Sequence, residues 1–196
     1  MEIAPLASFI EGRLLNAGSG HRNIDDILIR LGAKAVVNYD LASTIPGAVI
    51  GLLDNIPFAD GHFDTIFCNA VLEHTPRIDM VMSEFTRLIS PGGHLIVAIP
   101  FLQPFHADPW DFRRYTQMGL EELGAMHGLT MKDSLPVHTI AQTLGWIAWE
   151  WAVEKGGWRR SVVYPIVWLA TRLSYRTDKS VHKSANTFQC VFQKPL

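Results

Sequence analysis

Short apolar runs alternate with stretches at helical spacing through the first half of the chain. Arg13-Leu14-Leu15-Asn16-Ala17 is one such run, and it ends in the turn Gly18-Ser19-Gly20. Beyond the turn, Ile24, Ile27, Leu28 and Leu31 fall at i, i+3, i+4 and i+7, one face of a helix that Gly32 stops. Residues 35–40, 48–53 and 65–68 read as a second, third and fourth strand. Ile78, Val81, Met82, Phe85, Leu88 and Ile89 repeat at helical spacing again. Pro91-Gly92-Gly93 is expected to break that helix before a fifth strand at 94–99. Strands that are apolar throughout, separated by amphipathic helices, need cover on both faces. The pattern therefore predicts a doubly wound α/β domain with a mostly parallel sheet.

The texture changes after Pro100. Residues 101–115 form a polar-aromatic loop, and Thr116 is a candidate N-cap for a helix to about His127. A sixth strand is expected near 129–137 and a last one at 187–193. Between them, residues 140–176 read as two helices around Gly156-Gly157. No repeat, low-complexity tract or linker divides the sequence, so residues 1–196 are expected to make one domain, with 139–184 as a helical, Trp-rich cap or insertion.

Composition removes several classes of function. Apolar residues are 48% and charged residues only 18%, which excludes a disordered chain. A net charge of −2 offers no basic excess for a histone-like partner. Cys68 and Cys190 make no metal-spaced cluster. The first residues lack the basic region of a signal peptide, and no run approaches the roughly 18 apolar residues of a spanning helix. A cytoplasmic protein is expected.

One asymmetry qualifies that expectation. From Lys155 onward there are eight basic residues and one acid, and Trp146, Trp149, Trp151, Trp158 and Trp168 lie at or just before this stretch. Helices apolar nearly all round are buried in protein or in contact with lipid. Tryptophan beside arginine and lysine suits a membrane interface, so peripheral membrane contact through 146–183 stands beside a packed cap or a homodimer face.

In an open parallel sheet, ligands bind beyond the carboxyl ends of the strands, where glycines admit a ligand close to the backbone and free N–H groups can face it. Asn16-Ala17-Gly18-Ser19-Gly20 sits at that place. Asp40 ends the second strand, 20 residues past Gly20, where a carboxylate can accept both hydroxyls of a ribose. A dinucleotide fingerprint would need a third glycine where Asn23 stands, which disfavours a nicotinamide oxidoreductase.

Further motifs follow in order. Leu53-Asp54-Asn55-Ile56-Pro57-Phe58-Ala59-Asp60-Gly61-His62-Phe63-Asp64 leads to Cys68-Asn69-Ala70-Val71-Leu72-Glu73-His74. Then come Arg87-Leu88-Ile89-Ser90-Pro91-Gly92-Gly93 and the run Leu95 to Pro100. Over about residues 12–100 the series resembles the small-molecule class I S-adenosylmethionine-dependent methyltransferases. The resemblance implies a Rossmann-like sheet of about seven strands with the last antiparallel, and S-adenosylmethionine as cofactor, leaving as S-adenosylhomocysteine. It places Gly18, Ser19 and Gly20 against the methionine part with Asn16 nearby, and Asp40 with Leu41 at the ribose. Leu53, Asp54 and Asn55 would flank the adenine, and Asn69 with Ala70 would pass under the methionine amine. The family's usual acid is absent at Asn16 and its usual third glycine at Arg22; its adenine-contacting acid falls near Leu52, which makes Asp54 an offset candidate. Helices that usually precede the glycine turn have no counterpart in the 12 residues before Arg13, so 140–176 is the candidate lid.

Methyl transfer from a sulfonium is a direct displacement, and an oxygen acceptor gains from a base near neutral pKa. His106, in Phe105-His106-Ala107-Asp108-Pro109-Trp110-Asp111, follows the fifth strand on the ligand-binding edge. His106 is the candidate base or acceptor-binding residue, with Asp108 or Asp111 to orient it. A metal on His106, Asp108 and Asp111 is an alternative that the sequence disfavours, and no metal is expected. His74 faces the cleft by topology or caps the turn before Pro76, and Arg113 and Arg114 either clamp an anion or pair with local acids. No Asn-Pro-Pro-Tyr or Asp-Pro-Pro-Tyr stretch follows the fourth strand and aromatic residues are not interleaved with basic ones, so no nucleic-acid partner is expected. The expected function is methyl transfer to a small-molecule or lipid-linked acceptor, through oxygen. The rival is a non-catalytic, cofactor-binding relative that acts as a partner protein.

Overall fold

The computed structural model describes residues 4–107, 109–138, 140–174 and 185–196. Seven strands form one sheet: β1 (Gly12–Ala17), β2 (Ala33–Asp40), β3 (Val49–Ile50), β4 (Phe63–Asn69), β5 (Ile89–Pro100), β6 (Thr130–Val137) and β7 (Thr187–Gln193), in the order β3-β2-β1-β4-β5-β7-β6. β1 to β5 pair in parallel, and β7 runs antiparallel between β5 and β6. The helices are α1 (Asp25–Leu31), α2 (Ile78–Leu88), α3 (Gln117–Met126), α4 (Ile140–Lys155) and α5 (Trp158–Ser174). The expected mostly parallel, doubly wound sheet is the one observed.

Alternation along the strands builds two cores. Leu15, Ile66, Leu95 and Phe192 face α2 and α3, while Leu14, Phe67, Ile96 and Val191 face the opposite layer, which includes Leu28 of α1. Adjacent residues of one strand thus serve opposite cores, as the period of two requires. A 3-10 helix at Ala4–Phe9, which the hydrophobic pattern did not announce, buries Leu6 fully in the second core.

Two boundaries differ from the sequence reading. The third strand shrinks to Val49–Ile50, because Gly51 packs against Tyr39 and turns the chain away. Pro91-Gly92-Gly93 does not separate α2 from β5. Phe63 pairs with Ile89 and Thr65 with His94, so the intervening residues bulge out of a continuous strand. Thr116 caps α3 as expected, its hydroxyl accepting the Gly119 N–H at 3.1 Å.

The segment between β6 and β7 is a helical hairpin. Gly156 and Gly157, both in the left-handed region, turn α4 into α5. The helices approach closely at Gly145, where an added Cβ would lie 2.7 Å from Val167 Cγ1. Many large apolar side chains of the hairpin stay exposed, Trp158 at 70% and Ile166 at 61% among them. Among the described residues, no helix is long and apolar enough to cross a membrane.

Candidate active site

The glycine turn leaves β1 at the carboxyl edge of the sheet. Gly18 takes φ +73°, and an added Cβ would lie 2.3 Å from Val71 Cγ2, so the position excludes any side chain on steric and conformational grounds. Its N–H and that of Ser19 donate to the Tyr39 carbonyl, at 2.8 and 3.2 Å. Gly20 N–H donates to Asp40 Oδ2 at 2.7 Å, while Asp40 Oδ1 accepts from Ala42 N–H at 2.9 Å. The turn's N–H groups are therefore spent on β2 rather than left free, which corrects the expectation. They hold Asp40 directly beside the turn. Around Gly20 the space is open, with nothing within 4 Å of an added Cβ. The Ser19 hydroxyl is buried without a partner.

These residues open into a cavity of about 490 Å³, within the roughly 300–1,000 Å³ typical of small-ligand sites. Of the residues expected at a cofactor, Gly18, Gly20, Asp40, Leu41, Leu53, Asp54 and Ala70 line it. Ala70 holds φ +54°, an uncommon conformation for a residue with a Cβ. Asn16, Ser19, Asn55 and Asn69 are near but not part of the lining. Asn16 is buried in a side-chain relay, donating to Asn38 Oδ1 at 2.8 Å while Asn38 donates to Asp25 Oδ1 at 2.9 Å. That relay ties β1, β2 and α1 together under the turn. Asp54 pairs with Arg77 at the start of α2.

The wall after Leu53 is pinned from α2. Arg87 donates to the carbonyls of Ile56 and Phe58 at 3.1 and 2.8 Å, and to Glu84 and Asp60. Glu84 accepts the Ile56 N–H at 2.6 Å. The Arg87 hydrogen bond holds the Glu84 carboxyl below the usual range and raises the guanidinium further.

At the far end, Leu72–His74 makes a short 3-10 turn from which His74 enters the cavity lining together with Trp110. His74 Nδ1 bonds the Trp110 carbonyl. His106 Nδ1 lies 2.9 Å from the Pro104 carbonyl, and the two imidazoles stand edge to face with centroids 5.4 Å apart. A carbonyl only accepts, so in both rings Nδ1 is the donor, and in the neutral ring that tautomer puts the lone pair on Nε2. Glu73 is fully buried; neither carboxylate oxygen has a hydrogen-bond partner, and His74 Nε2 stands 3.8 Å from Oε1. Burial pushes its pKa up.

Asp111, rather than orienting the His106 ring, is locked in a bidentate pair with Arg114 and accepts the His106 backbone N–H at 2.8 Å. The Arg114 hydrogen bonds lower its carboxyl to about 2. Its oxygens are thus taken, which removes the metal grouping that included Asp111. Asp108 lies outside the described residues. Arg113 donates to the Thr75 and Pro76 carbonyls and Arg114 to those of Gln103 and Pro104, so both fasten the loop to its surroundings rather than clamp an anion. The hairpin touches this end through Trp146, whose ring is tilted 40° to that of His106 with centroids 5.5 Å apart, but no described residue of 140–174 lines the cavity.

Residues 15–97 match the family model described as a methyltransferase domain. Over that stretch the chain is similar to the class I S-adenosylmethionine-dependent methyltransferases, and its sheet has their fold. Its relatives include a tRNA U34 carboxymethyltransferase of Nautilia profundicola, 38% identical over 61 residues, which cover 31% of this chain and 20% of that protein. The ubiquinone/menaquinone biosynthesis C-methyltransferase UbiE of Bartonella bacilliformis is 28% identical over 130 residues, covering 61% of this chain and 49% of UbiE. The matches thus span about a fifth to about half of the curated relatives' length. Among solved structures, the Burkholderia thailandensis 1,6-didemethyltoxoflavin-N1-methyltransferase with bound 1,6-didemethyltoxoflavin and S-adenosylhomocysteine superposes with a TM-score of 0.62 at 14% identity, covering 98% of this chain and 77% of that one. At that identity the likeness is one of fold. Thr75, Pro109 and Trp110 are cavity residues to which the sequence reading assigned no role. Glu73 was visible in the Leu72-Glu73-His74 motif, but only its burial beside His74 marks it as chemical.

Proposed function

We propose that the chain transfers a methyl group from S-adenosylmethionine to an oxygen of a small-molecule or lipid-linked acceptor. The observation that carries this reading is the cavity at the glycine turn, with Asp40 held beside Gly20 and open space in front of it. The residues present fit the cofactor. Asp40 would take the ribose hydroxyls, Leu41, Leu53 and Asp54 the nucleoside, and Gly18, Gly20 and Ala70 the amino-acid end, where the buried Ser19 hydroxyl lacks a partner. Bound there, the cofactor supplies an electrophilic methyl group on a sulfonium.

The chain's own work is positioning and proton management. Trp110, His74 and Thr75 bound the end of the cavity that would admit the acceptor. His74 and His106, each with its Nε2 lone pair available, receive the acceptor hydroxyl. The bound cofactor would supply the methyl group and be left as S-adenosylhomocysteine, and the acceptor's proton would pass to an imidazole Nε2 or to water at this end. Holding donor and acceptor in line supplies most of the acceleration, up to about 7–11 kcal/mol in well-oriented systems.

The test is transfer itself. The full chain is incubated with cofactor carrying a trideuterated methyl group and, separately, with polar and lipid-soluble small molecules extracted from cells. Mass spectrometry should find the label in one product class, together with S-adenosylhomocysteine. Label in neither fraction, with the cofactor bound, would favour the non-catalytic rival.

A further inference from the structure

We propose that Glu73, His74 and His106 form a binding site for a divalent transition-metal ion of the zinc class, at the acceptor end of the cavity. Each residue offers one ligand atom, and the three atoms lie within 4.8 Å of one another. Two imidazole nitrogens and one carboxylate oxygen are a recurrent three-ligand set for a catalytic metal, with the remaining position open to water or substrate.

Three observations converge on a cation. First, both tautomers are fixed by backbone carbonyls, Trp110 for His74 and Pro104 for His106. Arg114 also approaches His106 Nδ1, at 3.3 Å, but a lone pair aimed at the Pro104 oxygen 2.9 Å away would be repelled, so that nitrogen is the donor. An N–H bonded to a carbonyl is the usual outer support of a metal-ligating histidine, and it leaves Nε2 for the ion. Second, Glu73 is fully buried with no hydrogen bond to either oxygen. A carboxylate in that state is costly unless a cation accompanies it. Third, the histidine side chains keep 17% and 28% of their exposure, so an ion can reach them while the carboxylate stays dry. With metal–ligand bonds of about 2.0–2.2 Å, the three groups need only draw together by about an ångström.

The rest of the loop supports this arrangement. Asp111 and Arg114 satisfy each other and hold the His106 backbone, Phe112 N–H donates to the Glu73 carbonyl at 2.9 Å, and Trp146 packs on the His106 ring. The ligands thus come from two loops, after β4 and after β5, that the pairing of these strands keeps side by side. In the role the site would play, which rests on the methyl-transfer reading, the ion takes up both Nε2 lone pairs, so that it and not the imidazoles holds the acceptor's hydroxyl oxygen and favours loss of its proton to water. Ion binding itself does not rest on that reading.

Metal-stripped full chain is titrated with Zn²⁺ in competition with a chromophoric chelator, and with Co²⁺ while the visible ligand-field bands are recorded. The expected result is one ion per chain, with Co²⁺ bands of a low-symmetry nitrogen–oxygen site. Glu73→Gln and His106→Ala should each weaken Zn²⁺ at least tenfold with the thermal unfolding of the metal-free protein still cooperative. His106→Asp, which keeps a ligand oxygen, should recover part of the loss. No stoichiometric ion, or an affinity unmoved by all three substitutions, overturns the site, and an ordinary His74–Glu73 ion pair then accounts for the cluster. A parallel titration of wild-type chain with S-adenosylhomocysteine separates the two readings: ion binding without it leaves the metal site and removes the methyltransferase role.

Discussion

Gly18, Asp40 and the Asp111–Arg114 pair each bear a distinct physical load. Gly18→Ala would put a methyl group into Val71 at a φ of +73°, so it should cost about 1–3 kcal/mol of stability and distort the turn that faces the cavity. Denaturant titration reads the first effect and cofactor titration the second. Arg114→Ala leaves Asp111, whose side chain is 1% exposed, without its cation, and should destabilise the chain by about 3 kcal/mol. Thermal unfolding checks this; a change within experimental error would mean that the 101–115 loop is not held by this pair. Asp40 and His106 were legible as strand-end positions, because strand ends are periodic features; Asp40 lines the cavity, and His106 stands against His74 and Trp146 without lining it. It could not tell that Asp111 serves Arg114, or that Asn16 sinks into a relay with Asn38, since both depend on partners chosen in three dimensions.

Elements carry the site through what fastens them. α2 anchors the cavity wall through Glu84 and Arg87, and the lowered pKa of Glu84 gives that anchor a pH signature. A carboxyl depressed on folding contributes stability that is present above its ordinary value and lost as pH falls through its folded value. Glu84→Gln should therefore destabilise at about pH 7, and the difference from wild type should shrink by about pH 3. Urea midpoints at the two values decide it, and an equal difference at both would rule out the ionised anchor. Most elements were legible because the β1 and β4 runs are apolar on both faces and α2 repeats at i, i+3 and i+4. Pro91-Gly92-Gly93 misled because a bulge and a helix stop use the same residues. The short β3 misled because the Gly51–Tyr39 contact ends it.

At the scale of the whole molecule, a sheet with the fold of the class I methyltransferases bears a helical hairpin whose Trp146 lies against His106. Its outer surface mixes exposed Trp151, Trp158 and Trp168 with arginines stacked on them, Arg159 over Trp151 and Trp158 and Arg172 over Trp168. Such rings and guanidinium groups suit the interface of an anionic bilayer. The full chain should sediment with vesicles containing phosphatidylserine and much less with neutral ones, and Trp158→Ser with Arg159→Ser should reduce this several-fold. Concentration-dependent dimerisation lost in the same variant, without vesicle binding, would assign the surface to a second copy. The central claim, however, is the cofactor, and calorimetric titration of the full chain with S-adenosylhomocysteine tests it most directly, with NAD as comparison. The account predicts micromolar binding of the adenosyl ligand, no comparable binding of NAD, and at least a tenfold loss in both Asp40→Ala and Asp40→Asn. No binding by a folded wild-type chain, or affinity indifferent to Asp40, would contradict it.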